Sequence, residues 1–308
     1  MKPYRQDDQP AMSGRRDACL SLLAGAALLG PGVSRAQERF SLFVGSPEFI
    51  VDRMVKLAQL RDGDVIADLG SGDGRIVLAA LKAHPNVRGW GVDINPALVA
   101  QANASAREQG LGDRARFYHR NVFDADLGDA TVITLWLFPE LMRLLRPKLL
   151  AEARPGTRLI SNGFDMSGWE PDFTDAEAGR VLGWIVPARV QGAWTWQLPL
   201  GGTPQRYDAL IEQRFQMVDG ICRVGDRRGL FLGATLRGDA VSFSMDITLD
   251  KVGLMRQDFT GRVRGDRIEG TVKVLYRDGP DYDKAVTHPW HATRSPTSGY
   301  FRPTGLVK

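Results

Sequence analysis

Cysteine is nearly missing from this 308-residue chain, which has only Cys19 and Cys222. Two thiols cannot build a disulfide framework or a zinc cluster. Histidine is as sparse. His84, His119, His288 and His291 show no metal-ligand spacing with nearby carboxylates, and "HPWH" reads as surface or packing, so no metal is expected. An excess of one charge sign is also small: 40 Lys and Arg stand against 36 Asp and Glu, for a net charge of +4 and a pI near 9.2. That balance suits an acidic partner or a membrane surface but is too weak to argue for nucleic acid. The uncharged apolar stretch from Ala18 to Val33 falls short of the ~20 residues of a membrane span. There is no repeat array and no long low-complexity tract. What is present is an ordinary globular composition, 43% hydrophobic and 25% charged, long enough for one large domain or two modest ones.

The first 36 residues read as a targeting segment. Arg15 and Arg16 precede the uncharged stretch, and Ser34-Arg35-Ala36 offers small residues where a signal peptidase cuts. The paired arginines resemble a twin-arginine signal. This predicts export to the periplasm or membrane association. The alternatives are an uncleaved anchor, which leaves a cytoplasmic face open, and a buried helix.

From 41 to 200 apolar strands alternate with amphipathic helices. "DVIADLG", "VRGWGVDI", "RARFYHRNV", "ATVITLWL" and "TRLISNGF" read as strands. "EFIVDRMVKLAQL", "GRIVLAALKAH", "PALVAQANASAREQG" and "PELMRLLRPKLLAEA" read as helices. Such alternation predicts an α/β fold, a doubly wound, mostly parallel sheet covered on both faces. "GRVLGWIVPARVQGAWTWQL" looks like two further strands added at the sheet edge. Past "LPLGGTPQ" the chain becomes short alternating runs punctuated by Gly and Asp, the habit of a small antiparallel β domain over 201–308. "GRVRGDRIEG" is a hairpin with Gly265-Asp266 at its turn. Trp194, Trp196, Phe215, Phe231, Phe243, Phe259 and Trp290 recur there at strand spacing and read as its core.

The densest local signal is "DLGSGDGRI", residues 68 to 76. Strand, glycine-rich turn and helix are how an α/β sheet presents a nucleotide at the carboxyl ends of its strands. Gly70, Gly72 and Gly74 allow backbone to approach a ligand. A dinucleotide site needs G-x-G-x-x-G or A, whereas here the spacing is G-x-G-x-G and the third dinucleotide position is Arg75. Asp68 would repel a pyrophosphate but suits a cationic ligand. S-adenosylmethionine carries an ammonium, a sulfonium and no phosphate. Asp93, ending the second strand, can accept both ribose hydroxyls. Asn121, ending the third, can accept from the adenine amino group, or can simply cap the following turn. Ser71, Ile94 and Val122 complete the expected cofactor-binding set.

With these residues in place, the chain resembles the class I S-adenosylmethionine-dependent methyltransferases. More narrowly, 41–188 resembles a family of small methyltransferases that includes the lysine methyltransferases of the ATP synthase c subunit and the adenine nucleotide translocase. The stretches that carry the likeness are "FVGSPEFIVDRMVKLA", "DVIADLGSGDGRIVLAA", "GVDINPALV", "TLWLFPELMRLLRPKLL" and "PGTRLISNGFDMSGWEPD". An Asp is commoner than Asn121 in this family, which alters the adenine contacts. The resemblance implies a Rossmann-like class I fold, S-adenosylmethionine as cofactor and a protein lysine as acceptor, in a membrane or envelope protein if the chain is exported. The C-terminal third lies outside it.

Methyl transfer from a sulfonium is an in-line displacement that needs no metal, so the enzyme's task is alignment in a dry site. Trp136, Leu137, Phe138 and Pro139, after the fourth strand, are expected to border the methyl group, and aromatic faces there can guide a lysine stem. The resemblance further implies that Phe43 closes the cofactor pocket from above. Glu140 is the one weak catalytic candidate; as an acid at a helix start it can equally serve the helix dipole. Other readings are a small-molecule or RNA methyltransferase, and an exported protein that binds the cofactor without turnover. The missing Asn/Asp-Pro-Pro-aromatic pattern lowers a base amine as acceptor.

Overall fold

The computed structural model describes residues 45–175, 177, 180–279 and 281–301. The chain divides into two units, Met1–Leu42 and Phe43–Lys308, and every described residue belongs to the second. The targeting segment expected over 1–36 lies outside the described residues, as does Phe43. Among the described residues no helix is long and apolar enough to cross a membrane.

The elements of the first half run α1 (Glu48–Ala58), β1 (Val65–Leu69), α2 (Arg75–Ala83), β2 (Arg88–Asp93), α3 (Pro96–Glu108), β3 (Ala115–His119), β4 (Val132–Leu135), α4 (Pro139–Glu152), β5 (Arg158–Asn162), β6 (Phe173–Thr174) and β7 (Val181–Ile185). The strands form one sheet in the order β3-β2-β1-β4-β5-β7-β6. β1 to β5 are parallel, and β7 pairs antiparallel with both β5 and β6. The order reverses between β1 and β4, the switch point at which an open α/β sheet leaves a crevice outside its carboxyl ends.

The central strands β1, β4 and β5 are buried on both faces, which is why they read as continuous apolar runs. On one face Ile66, Val132 and Ile160 pack against α1, α2 and α3. On the other Ala67, Ile133 and Leu159 pack against α4 and the segment around Met166 and Trp169. The capping follows the sequence. Asn95 accepts the N–H groups of Ala97 and Leu98 at the start of α3, with Pro96 in its first turn. β4 is shorter than its apolar run: Trp136 and Leu137 leave the ladder because Pro139 opens α4 and holds Phe138 extended (φ −58°, ψ 151°).

The remaining strands are β8 (Gly192–Leu200), β9 (Thr203–Arg214), β10 (Met217–Val224), β11 (Arg227–Leu230), β12 (Leu232–Arg237), β13 (Ala240–Leu249), β14 (Gly253–Arg264), β15 (Arg267–Tyr276) and β16 (Ala285–Ser295). They form a nine-stranded sheet in the order β11-β10-β9-β8-β16-β15-β14-β13-β12, larger than the small domain expected. The Gly265-Asp266 turn joins β14 to β15 as expected, with Gly265 at φ +61°. "LPLGGTPQ" is the β8–β9 hairpin, Leu200 pairing with Thr203. The change of sheet therefore falls in 186–191, before the expected 200, and only β7 of the two late strands joins the first sheet. The sheet rolls until its outer strands meet. Phe231, between β11 and β12, donates its N–H to Gly220 O at 2.8 Å, and β11 lies so near β13 that a side chain at Gly229 would meet the Met245 sulfur at 2.5 Å.

The roll is filled by Trp196, Tyr207, Phe231, Phe243, Phe259 and Trp290, all buried and in stacked or edge-to-face contact. Trp194 is buried as well. Phe215 departs from the expected core. It sits at φ +55° between β9 and β10 and stacks on Trp169 of the first half at 5.5 Å. Arg146 of α4 lies over Phe215 at 5.2 Å and donates to Met166 O at 2.7 Å and to Ser167 O. The Phe-Asp-Met…Trp stretch is therefore where the two sheets are fastened together.

Candidate active site

The glycine-rich turn leaves β1 at the switch point. Gly70 and Gly72 have φ +88° and +52°, a region that L side chains rarely enter. A Cβ on Gly70 would also strike Leu137 at 2.7 Å. Gly74 plays a different part from the one expected. Its Cβ would meet the Phe117 ring at 2.6 Å and Ala102 at 3.0 Å, so it lets α2 start close against β3 and α3. It does for packing what the third glycine does in a dinucleotide site. Gly91 was not apparent from local spacing: a Cβ there would lie 2.5 Å from that of Ser71, so β2 must be bare where the turn folds over it.

Asp68 is 2% exposed. Its Oδ1 accepts the Thr134 hydroxyl from β4 at 2.7 Å, and no cation pairs with it among the described residues. Burial pushes its pKa up to about 7, with the Asp93 and Asp73 charges adding to the rise and the Thr134 hydrogen bond opposing it. Asp93 holds the turn together: Oδ2 accepts Gly72 N–H and Oδ1 accepts Asn95 N–H, both at 2.8 Å. Each carboxylate oxygen keeps a second lone pair for a ligand hydroxyl. Asn121 takes the capping geometry, accepting Phe123 N–H at 3.0 Å, with its second oxygen lone pair and its amide hydrogens left over. Val122 is buried, while Ile94 and Phe123 are 41% and 38% exposed at the ends of β2 and β3, apolar surface of the kind an adenine ring covers.

Before α1, Ser46 O accepts Arg75 at 2.8 Å, and Arg75 also pairs with Asp73 at 2.6 Å. Arg75 thereby holds the segment leading into α1 against the glycine-rich turn. Trp136 is half-buried, its Nε1 3.9 Å from the Cβ position of Gly163. Phe138, at 48% exposure, stands in solvent, and Pro139 and Glu140 are exposed in the first turn of α4. Glu140 makes no side-chain hydrogen bond or ion pair among the described residues, and as the acid in the first turn of α4 it fits the helix-dipole role.

Among the described residues nine polar or charged ones are buried. Six have hydrogen-bonded side chains: Asp64, Asp68, Thr134, Thr157, Ser161 and Gln257. Of the other three, Ser46, Ser71 and Asn162, only Ser71 has a fully buried side-chain polar atom without a hydrogen-bond partner among the described residues. Buried polar groups are normally paired, so the Ser71 hydroxyl, within the glycine-rich turn, is open to a ligand partner. An unpaired buried acid, bare positive-φ backbone and a strand-end carboxylate fit S-adenosylmethionine: Asp68 toward its ammonium, the turn along its methionine part and Asp93 toward its ribose. A groove of about 400 Å³ between the C-terminal halves of α1 and α2, lined by Val55, Leu60 and Ala79 among others, contains none of these residues. Among the described residues no cluster of three or more His, Cys, Asp or Glu could hold a metal.

Fold and site together define a class I S-adenosylmethionine-dependent methyltransferase. Residues 68–173 match the ANTKMT methyltransferase domain. A protein-lysine N-methyltransferase of Saccharolobus islandicus is 38% identical over 129 residues, which cover 42% of this chain and 80% of that protein. The adenine nucleotide translocase lysine N-methyltransferase of Mus musculus is 34% identical over 188 residues, covering 60% of this chain and 81% of that protein. A solved structure described as an RNA methyltransferase from Salinibacter ruber with S-adenosyl-L-homocysteine is 43% identical, covering 48% of this chain and 96% of that one, with a TM-score of 0.46. The chain belongs to the ANTKMT-type methyltransferase family.

Proposed function

We propose that the protein methylates the side-chain amine of lysine in a protein substrate. The observation that carries this is the pair of lysine-methylating relatives, each matched over four-fifths of its length, joined to a site whose glycine-rich turn and two acids fit the cofactor. When bound, S-adenosylmethionine supplies an electrophilic methyl on a sulfonium. The chain does the rest by placement. Asp68 and Asp93 fix the two ends of the cofactor, the turn excludes water along it, and Trp136 and Phe138 border the side on which an acceptor enters. The lysine must arrive as a neutral amine, and a desolvated site lowers its pKa and favours that form. No general base is required beyond water at the rim.

The acceptor we favour is a membrane or envelope protein. Support comes from the paired arginines, the uncharged stretch and the Ser34-Arg35-Ala36 site in the first 36 residues, which read as an export signal. N-terminal sequencing of the mature protein tests this part, with a start near Gln37 expected. The activity itself is tested by incubating the protein with methyl-labelled cofactor and a proteome from cells lacking its gene, followed by acid hydrolysis. Label in methyl-lysine is expected. Label confined to RNA or to small molecules would overturn the lysine reading.

A further inference from the structure

We propose that Asn162 receives the acceptor amine, a role that rests on the lysine reading above. Side chains alternate across a strand. Ile160 faces α1 to α3, so Asn162, two residues on, faces the same way. By the same parity Asp68 follows Ile66 on β1. The register aligns Asp68 with Thr134 and Thr134 with Ile160 across three adjacent strands. One step nearer the carboxyl ends, Asn162 therefore lies on the face of Asp68, with β4 between them, and Trp136, just past the end of β4, has its Nε1 3.9 Å from the Cβ position of Gly163, the residue after Asn162.

Asn162 is 8% exposed, and its side-chain amide is not among the atoms sealed off without a partner; it makes no side-chain hydrogen bond among the described residues and keeps its capacity for an incoming group at the rim. It is not loose: Asn162 pairs with Val181, Gly163 N–H donates to Arg180 O at 2.8 Å, and Arg180 donates back to Gly163 O at 3.2 Å. Gly163, at φ +84°, then turns the chain away, so Asn162 is the last residue of β5 and its amide is fixed at the rim. Ser161, its neighbour, faces the other way and is satisfied by Phe164 O at 2.8 Å.

A carboxamide oxygen accepts one N–H of an amine without the charge that would hold the amine as ammonium. That suits the reacting form. The amine lone pair makes the new N–C bond, the S–C electron pair returns to sulfur to give the thioether, and the nitrogen loses its extra proton to water. Asn162 thus aims the nucleophile while leaving its lone pair free. Trp136 beside it provides the face along which the lysine stem lies.

The test uses the full chain and two variants. Asn162→Leu keeps the volume and removes the acceptor. Methyl-lysine formation is expected to fall about 100-fold, while S-adenosylmethionine affinity by titration calorimetry stays within twofold of wild type. Asn162→Asp puts a carboxylate against the amine and stabilises the ammonium, so its pH–rate profile is expected to move to higher pH by about one unit. A merely structural residue would move neither ratio nor profile. In a third arm, n-butylamine is added to enzyme saturated with S-adenosylhomocysteine, and saturation-transfer NMR is expected to show binding in wild type and none in Asn162→Leu. Wild-type turnover by Asn162→Leu, or parallel loss of activity and cofactor affinity, overturns the proposal. If the wild type makes no methyl-lysine, the lysine reading has failed, and equal butylamine binding by both proteins then removes Asn162 as an amine site as well.

Discussion

At the carboxyl end of the first sheet Asp68 is buried without a cation and the Ser71 hydroxyl without a partner among the described residues, whereas inside the second sheet Tyr207 and Gln257 answer each other at 2.9 Å within a close-packed aromatic cluster. The unpaired indole N–H groups of Trp196 and Trp290 lie among rings in edge-to-face contact. The first region leaves a carboxyl group without a cation and a hydroxyl without a partner at a strand-end turn; the second leaves two indole N–H groups packed among rings. Aromatic abundance, which is greater in the second sheet, therefore says less about chemistry than an open acid and hydroxyl at a strand end.

Mutations can set the two regions against each other. The largest effect is expected from Trp290→Ala, which empties the centre of the aromatic core and should cost about 3–5 kcal/mol of stability, read by denaturant melting. If the contrast holds, cofactor affinity of the still-folded fraction stays near wild type. Next is Asp68→Asn, which preserves shape but removes the charge. S-adenosylmethionine affinity should fall on the order of 100-fold, about 2.7 kcal/mol, with a melting temperature no lower than wild type, because a buried charge without a cation has been removed. Unchanged affinity would place the cofactor elsewhere.

A pH titration gives a smaller change. Asp68 titrates near 7 in the ligand-free protein and must be ionised to hold an ammonium, so affinity should rise about tenfold from pH 6 to pH 8 with a proton released on binding. The sign for stability is opposite. A carboxyl whose folded pKa is raised favours folding at low pH, so this group's contribution is lost as pH rises from about 4 through 7. A binding constant flat across that range would show that Asp68 does not face the ligand. The smallest effect is expected from Arg146→Met, which removes two carbonyl hydrogen bonds and the contact over Phe215. A loss of about 1–2 kcal/mol in melting experiments, with unchanged cofactor affinity, would mark Arg146 as a fastening between the sheets alone.

The cofactor turn was legible because its information is local. Asp68, the glycines and Asp93 sit at the ends of apolar runs, and chain order alone brings β1 and β2 to one edge. The partners defined by register were not legible. Thr134 meets Asp68 only because β4 crosses to lie beside β1, 66 residues away in sequence. Asn162 is notable only once Ile160 and Thr134 are known to share a row. Gly74 looked like a third ligand-facing glycine, but its real neighbour is Phe117, brought in by the β2–β3 pairing. Phe215 carried the same alternating signature as the barrel aromatics, yet a left-handed turn takes it out of the core and onto Trp169. The hairpin at Gly201-Gly202 had the texture of a linker, since the same residues punctuate both.

The rolled second sheet has a consequence for how copies of this chain meet. A row of unsatisfied main-chain groups along a sheet margin invites another polypeptide to add itself there. Here the two margins, β11 and β12, are consecutive in the chain and close over one another at Phe231. In the first sheet one outer strand, β6, is two residues long, and the other, β3, carries Arg116 outward and is flanked by Arg114 and Arg120. Strand-by-strand addition of another chain is thus discouraged at each of these margins.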